Sequence, residues 1–232
     1  MSDSTVESIP IGVEERWLLD LHVAVSDLAG FRVDRLLPAG YERYVRVFNP
    51  FLPWDTDAPG FSPDKRPTWR SLAAEAGVPF SSEIMWEDLR PVLGGRDGPR
   101  PYYVTEGNLD EPARTRLFGV LADASGDKST FFYYGLAAIC TGSEAHLYRA
   151  PCRSIRAVED LAARDMRVPI NWENLYGPEY IWPSDRSWVV MTDYDLESTY
   201  IACDAALAER LLADDVLEVL PVELTSHING AR

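Results

Sequence analysis

The sequence predicts an α+β fold in one domain over residues 1–232, with a mainly antiparallel sheet, helices packed on one face, and a C-terminal β-β-α-β unit. Three observations carry this. Apolar runs of strand length sit among helices of unequal length without one-for-one alternation, which argues against a doubly wound sheet. The last third has sharp boundaries: residues 188–192 and 199–203 read as strands, 205–214 as a helix capped by Asp204, and 216–222 as a closing strand. No repeat or low-complexity linker divides the chain, and 232 residues can share one core. Residues 1–12 and 224–232 are expected to fray.

From the N-terminus, residues 14–28 place Trp17, Leu18, Leu21, Val25 and Leu28 at helical spacing, with Gly30 as the stop. His22 lies beside that stripe and has no second His near it. After a breaker at 36–40, residues 41–49 (YERYVRVFN) alternate as a strand. Val45 and Val47 share one face, Tyr44 and Phe48 the other, so both faces are covered. Five prolines and a glycine make residues 50–67 an irregular surface loop carrying Phe51, Trp54 and Phe61. Residues 67–76 form a short helix between Pro67 and Gly77. Ser82 caps another over 83–89, and 94–101 is a turn-rich connector without phosphate-loop spacing.

Asp110 caps a helix to about residue 123, with Leu117, Val120 and Leu121 inward. Residues 129–140 (STFFYYGLAAIC) read as a central strand and 146–150 as its continuation or its hairpin partner. Ser154 caps a helix through residue 165. Residues 171–188, punctuated by Gly and Pro, read as irregular, with Trp172, Tyr176, Tyr180, Trp182 and Trp188 packing over the body or lining a groove.

Composition narrows the function classes. The net charge is −15, and residues 191–223 hold nine acids against one base, Arg210. A chain of this sign repels phosphate backbones, so no nucleic-acid partner is expected. No apolar run approaches a membrane span and the first twenty residues lack a secretory pattern, so no membrane partner is expected and the expected compartment is cytoplasmic. Cys140, Cys152 and Cys203 form neither a disulfide framework nor a CxxC zinc motif.

The sequence carries no recognisable catalytic motif. There is no GxSxG elbow, and Gly126-Asp127-Lys128-Ser129 lacks the spacing of a phosphate loop. His22, His146 and His227 are too far apart in sequence for a zinc pair, so no metal site and no cofactor is expected. Asp193, Asp195 and Glu197 alternate. If residues 192–198 are extended, the three carboxylates share one side and present a negative patch or a hard-cation site; if they form a turn, Asp is favoured for backbone reasons alone. Trp182 and Arg186 have the composition of interface anchors. Asp204 has a cap to form, whereas Asp214, Asp215, Glu218 and Glu223 have no structural role visible in the sequence, which marks them for a functional face.

Three stretches, LLPAGYERYVRVFNPF (36–51), LFGVLADASGDKSTFFYYG (117–135) and WPSDRSWVVMTDYDLESTYIACDAALAERLLADDVLEVLPV (182–222), resemble a family of uncharacterised, mostly actinobacterial proteins. In that family a W-P-x-D-R-x-W strand leads into an acidic hairpin, a helix and a closing strand. The resemblance implies a shared fold and brings no activity with it. Leu37-Pro38-Ala39-Gly40-Tyr41 after an N-terminal helix is also similar to the SUKH-type immunity superfamily, although the next segment ends in Asn49-Pro50 where that pattern has an Asn-Gly turn.

The functional expectation is a non-catalytic acidic binding module, most concretely an immunity or toxin-neutralising protein that binds a basic protein partner. Its contact residues would be Trp182, Arg186, Asp193, Asp195, Glu197, Asp214, Asp215 and Glu218. The alternatives are a carboxylate-based enzyme, with or without a divalent metal, at Asp193, Asp195 and Glu197, and a small-molecule-binding protein whose pocket walls are Trp172, Trp182 and Trp188.

Overall fold

Short strands with alternating side chains build the molecule. The computed structural model describes residues 6–19, 32–53, 66–94, 102–107, 109–168, 177–193 and 195–228. In chain order the strands are β1 (Glu7–Ile9), β2 (Arg43–Phe48), β3 (Phe51–Pro53), β4 (Tyr102–Val104), β5 (Ser129–Tyr134), β6 (His146–Pro151), β7 (Tyr180–Pro183), β8 (Val189–Met191), β9 (Ser198–Cys203) and β10 (Val219–Pro221). The helices are α1 (Arg16–Leu19), α2 (Trp69–Ala76), α3 (Arg90–Leu93), α4 (Glu111–Ser125), α5 (Leu136–Thr141), α6 (Ile155–Asp165) and α7 (Ala205–Leu212). Short 3-10 helices lie at Val33–Arg35, Trp86–Leu89 and Cys152–Ser154.

Eight strands form one antiparallel sheet in the order β1-β6-β5-β7-β8-β9-β2-β10, and β3 pairs with β4 in a separate ribbon. The architecture is therefore α+β, a single compact domain. Both faces of the sheet are covered, as the period of two in its strands requires. On one face Val45, Val47, Phe132, Tyr148, Ile181, Val190 and Ile201 pack under α4, α6 and α7. On the other, Phe131, Tyr133, Leu147, Trp182, Val189, Met191 and Tyr200 meet Leu18, Val33, Leu36, Leu37, Val222 and Ile228. A third cluster joins Phe48 and Phe51 to α2, α3 and the 3-10 helix between them.

The C-terminal β-β-α-β unit is present, with β2 inserted between its members: β9 and β10 both pair with β2, in registers Val45↔Ile201 and Val45↔Pro221. Asp204 caps α7 by accepting from the Leu207 amide at 2.8 Å, and Asp110 caps α4 through the Ala113 amide. Thr68 opens α2 with a capping box to Ser71, and Gly77 closes it at φ 70, the left-handed region that glycine tolerates.

Several sequence expectations are corrected. Residues 129–140 are not one strand: β5 ends at Tyr134 and α5 begins at Leu136. Gly135 makes the break, because a Cβ there would lie 2.6 Å from the Tyr133 hydroxyl, and its amide donates to Glu179 at 2.7 Å. Ser82 does not cap a helix; the 3-10 helix begins at Trp86, with Asp88 accepting from the Met85 amide. Ser154 occupies an N-cap position without making a side-chain cap bond. Residues 51–53 belong to a ribbon, and the 171–188 stretch contains β7.

At the N-terminus β1 pairs with β6, so residues 7–9 are structured. At the other end, Leu224 and Ser226 carbonyls accept from the Asp34 and Val33 amides. The expectations on residues 20–28, including Leu21, His22, Val25 and Leu28, and on Gly30, Trp54, Phe61, residues 95–101, Trp172 and Tyr176 lie outside the described residues.

Candidate functional site

The acidic segment between β8 and β9 is a turn, not an extended stretch. The Leu196 amide donates to the Asp193 carbonyl at 2.9 Å, so the three alternating carboxylates do not share one side. Asp195 is exposed, Asp193 half-buried and Glu197 buried at 8% exposure. Main-chain bonds fasten this turn to its neighbours. The Gly107 amide donates to the Leu196 carbonyl at 2.9 Å and the Asn49 amide to the Glu197 carbonyl at 3.0 Å. The Asn49 side chain reaches both Thr105 and Leu196 carbonyls.

Those ties bring carboxylates from distant sequence positions together. Glu106 follows β4 and faces Asp195 and Glu87; its burial, then those two charges, raise its carboxyl above the ordinary range. The Glu197 carboxylate accepts from the Trp86 amide at 3.1 Å, at the start of the 3-10 helix that carries Glu87. Burial pushes Glu197 up to about 7, assisted by Glu87 and Glu106 and opposed by the Trp86 amide and Arg46. None of the ion pairs among the described residues uses Glu87, Glu106, Asp195 or Glu197.

Helix α5 borders the same region. Ile139 projects from it at 72% exposure, and the exposed Cys140 thiol is raised by burial and by the charges of Asp193, Glu179 and Asp195. A raised thiol is the opposite of an activated nucleophile. The Cys140 end of α5 is therefore within electrostatic reach of Asp193 and Asp195. Nothing local in the sequence links Glu87, Glu106 or Ile139 to residues 193–197.

The other candidates are placed elsewhere. Trp182 is 1% exposed in β7, with its ring stacked on Phe131 at 5.5 Å and edge-on to Trp17 at 6.2 Å, so it is a core residue and not a contact anchor. Trp188 is equally buried but on the opposite face of the sheet, so the two do not wall one pocket. Arg186 is exposed, has φ 55, and lies with its guanidinium 4.5 Å from the Trp17 ring centre. Asp214 has structural work: its carboxylate accepts from the Val216 and Leu217 amides and pairs with Arg116 at 2.6 Å. Glu218 accepts from the Trp69 and Arg70 amides at 2.7 and 3.0 Å, bracing the start of α2. Of the four acids without a visible structural role in the sequence, Asp215 and Glu223 are exposed.

A cavity of about 20 Å³ lies between the sheet and helices α4 and α6, lined by Arg114, Leu117, Phe118, Glu159, Ile181 and Thr199 among others. Arg114 Nη1 donates to both Glu159 oxygens at 2.8 Å, a buried pair that forms its polar wall. The volume holds about one water molecule, which suits a hydrated core and not an organic ligand. Among the described residues, no three His, Cys, Asp or Glu side chains are grouped to hold a metal ion, and no helix is long and apolar enough to cross a membrane. No protein-family model, curated protein or solved structure matches this chain.

Proposed function

We propose that the chain is a binding module whose docking face is the acidic surface at the β8–β9 turn, and that its partner is a protein presenting lysine and arginine side chains. The observation that supports this reading is the convergence of Glu87, Glu106, Asp195 and Glu197 from three parts of the chain, none of them in an ion pair of the described residues. Like charges placed together cost stability, and a basic partner removes that cost on docking. Interfaces pair such charges with apolar contacts, and the exposed Ile139 of α5, next in sequence to Cys140, is the candidate for that role. A toxin-neutralising protein that covers a basic cleft would need a face of this kind, in keeping with the immunity-protein resemblance.

Cys140 offers a native probe, since Cys152 and Cys203 are buried. The full chain labelled at Cys140 with an environment-sensitive maleimide would be titrated with a nona-arginine peptide at low salt. Saturable binding is expected, weakened about fivefold in the Glu106→Gln/Asp195→Asn double variant, the size of two exposed charge contacts. Asp215→Asn/Glu223→Gln, which removes two exposed charges beyond α7, should leave binding unchanged. Equal affinity in the two variants would mean that only net charge attracts the peptide, and the face would be wrong.

A further inference from the structure

We propose that the Glu197 side chain is a proton-operated latch that holds residues 82–93 against the end of the sheet and releases them when its proton is lost. This stretch contains the 3-10 helix Trp86–Leu89 and α3. Two polar side chains from the sheet side hold its backbone. Arg46 of β2 donates from Nη1 to the Ser82 and Ile84 carbonyls, both at 2.8 Å. Glu197 accepts from the Trp86 amide at 3.1 Å.

The two ties respond differently to pH. Arginine guanidinium groups do not lose their proton in proteins. Glu197 is a buried carboxyl facing Arg46 from β2, Glu87 from the 3-10 helix, Glu106 from the segment after β4, and the Tyr200 hydroxyl from β9. Arg46 Nε is directed to Ser198 and Nη1 to Ser82 and Ile84, and no ion pair among the described residues joins Arg46 to Glu197. As a neutral acid, Glu197 keeps a carbonyl oxygen for the Trp86 amide and buries no charge. As a carboxylate it buries one charge near Glu87 and Glu106, and the attraction of Arg46 and the Trp86 amide offsets that burial only in part.

The direction of the switch follows from linkage. Burial lifts the closed-state carboxyl to about 7, so the closed arrangement holds the proton more tightly than a solvent-exposed Glu197 would. Loss of that proton therefore shifts the population toward the open arrangement. Opening brings Glu197 to water beside Glu87, Glu106 and Asp195 and adds a charge to the acidic face. That last consequence rests on the docking reading; the latch itself does not.

Hydrogen exchange of residues 84–93 at pH 6 and pH 8, corrected for the intrinsic pH dependence of exchange, tests the latch in the full chain. Wild type should lose protection by about tenfold across that interval, the linkage limit for a group titrating near its middle. Glu197→Gln, neutral at both pH values and of the same shape, should stay within about twofold. Unchanged protection in wild type, or the same loss in Glu197→Gln, would overturn the proposal. A carboxyl-carbon NMR titration of Glu197 should show its midpoint near neutrality; a midpoint in the ordinary carboxylate range would overturn it as well. Peptide binding, measured separately, keeps the two readings apart: a tenfold loss of protection in a protein that fails to bind nona-arginine would support the latch and sink the docking face.

Discussion

Arg46 Nε donates to Ser198 Oγ at 2.7 Å across the β2–β9 pair, with the Arg46 side chain at 0% exposure. The guanidinium also lies 4.3 Å from the Phe48 ring centre. Its remaining donor contacts cross to the Ser82 and Ile84 carbonyls. One side chain thus ties the sheet to the layer that carries Glu87. Removing it strands two carbonyl oxygens and a serine hydroxyl in the interior.

Arg46→Met should therefore destabilise the chain by about 3 kcal/mol, since the new side chain fills the space but satisfies none of the three acceptors. Arg46→Lys should not recover most of that loss, because an ammonium cannot reproduce the planar fork or its stacking on Phe48. Urea unfolding of the three proteins measures this. A loss below about 1 kcal/mol in Arg46→Met would show that the guanidinium contributes no more than an exposed residue does.

The strand bearing Arg46 shows where sequence reading succeeds and where it stops. Alternation in residues 41–49 placed Val45 and Val47 on one face and Tyr44 and Phe48 on the other, as observed. The same parity puts Arg46 with Tyr44 and Phe48, on a face the aromatics already marked as covered, so its burial was within reach. Residues 129–140 could not be resolved by composition, because an apolar run serves a buried strand and a buried helix equally well; only the contact of Gly135 with the Tyr133 ring decides the break. Asp204 was legible as a cap because its partner is three residues away. Glu106 was not, because Asp195 and Glu87 reach it only once the sheet has formed.

Glu218 too has a role set by residues far from it in sequence. It accepts from two amides at the start of α2, 149 and 148 residues away in sequence. Burial nonetheless raises its carboxyl above the ordinary range, so the bonds offset the burial only in part. Glu218→Ala should cost about 1–2 kcal/mol, as the loss of a helix cap does, because the Trp69 and Arg70 amides lose their acceptor. Asp215→Ala, exposed a few residues earlier, should stay within about 0.5 kcal/mol of wild type. Thermal unfolding of the pair separates them. Equal effects would remove the distinction between acids with structural work and acids without it.

Glu197 gives stability a pH dependence of predictable sign. Its folded carboxyl titrates at about 7 against an ordinary 4.5, chiefly through burial. Between those values the folded chain binds more protons at this site than the unfolded chain, so stability is fully present below about pH 4.5 and declines as pH rises to about 7. The decline amounts to at most about 3 kcal/mol, and opening of residues 82–93 would limit it by letting the carboxylate reach water. Glu197→Gln carries no charge to bury. The variant should match wild type near pH 4.5 and exceed it in stability at pH 8. Comparing the two proteins at each pH cancels the contributions of Glu159 and Glu218, whose carboxyls are also raised, while the coupling of Glu106 to Glu197 is part of the difference measured. A difference between variant and wild type that stays constant from pH 4.5 to pH 8 would place the ordinary carboxylate pKa back on Glu197. The latch would then have no proton to respond to.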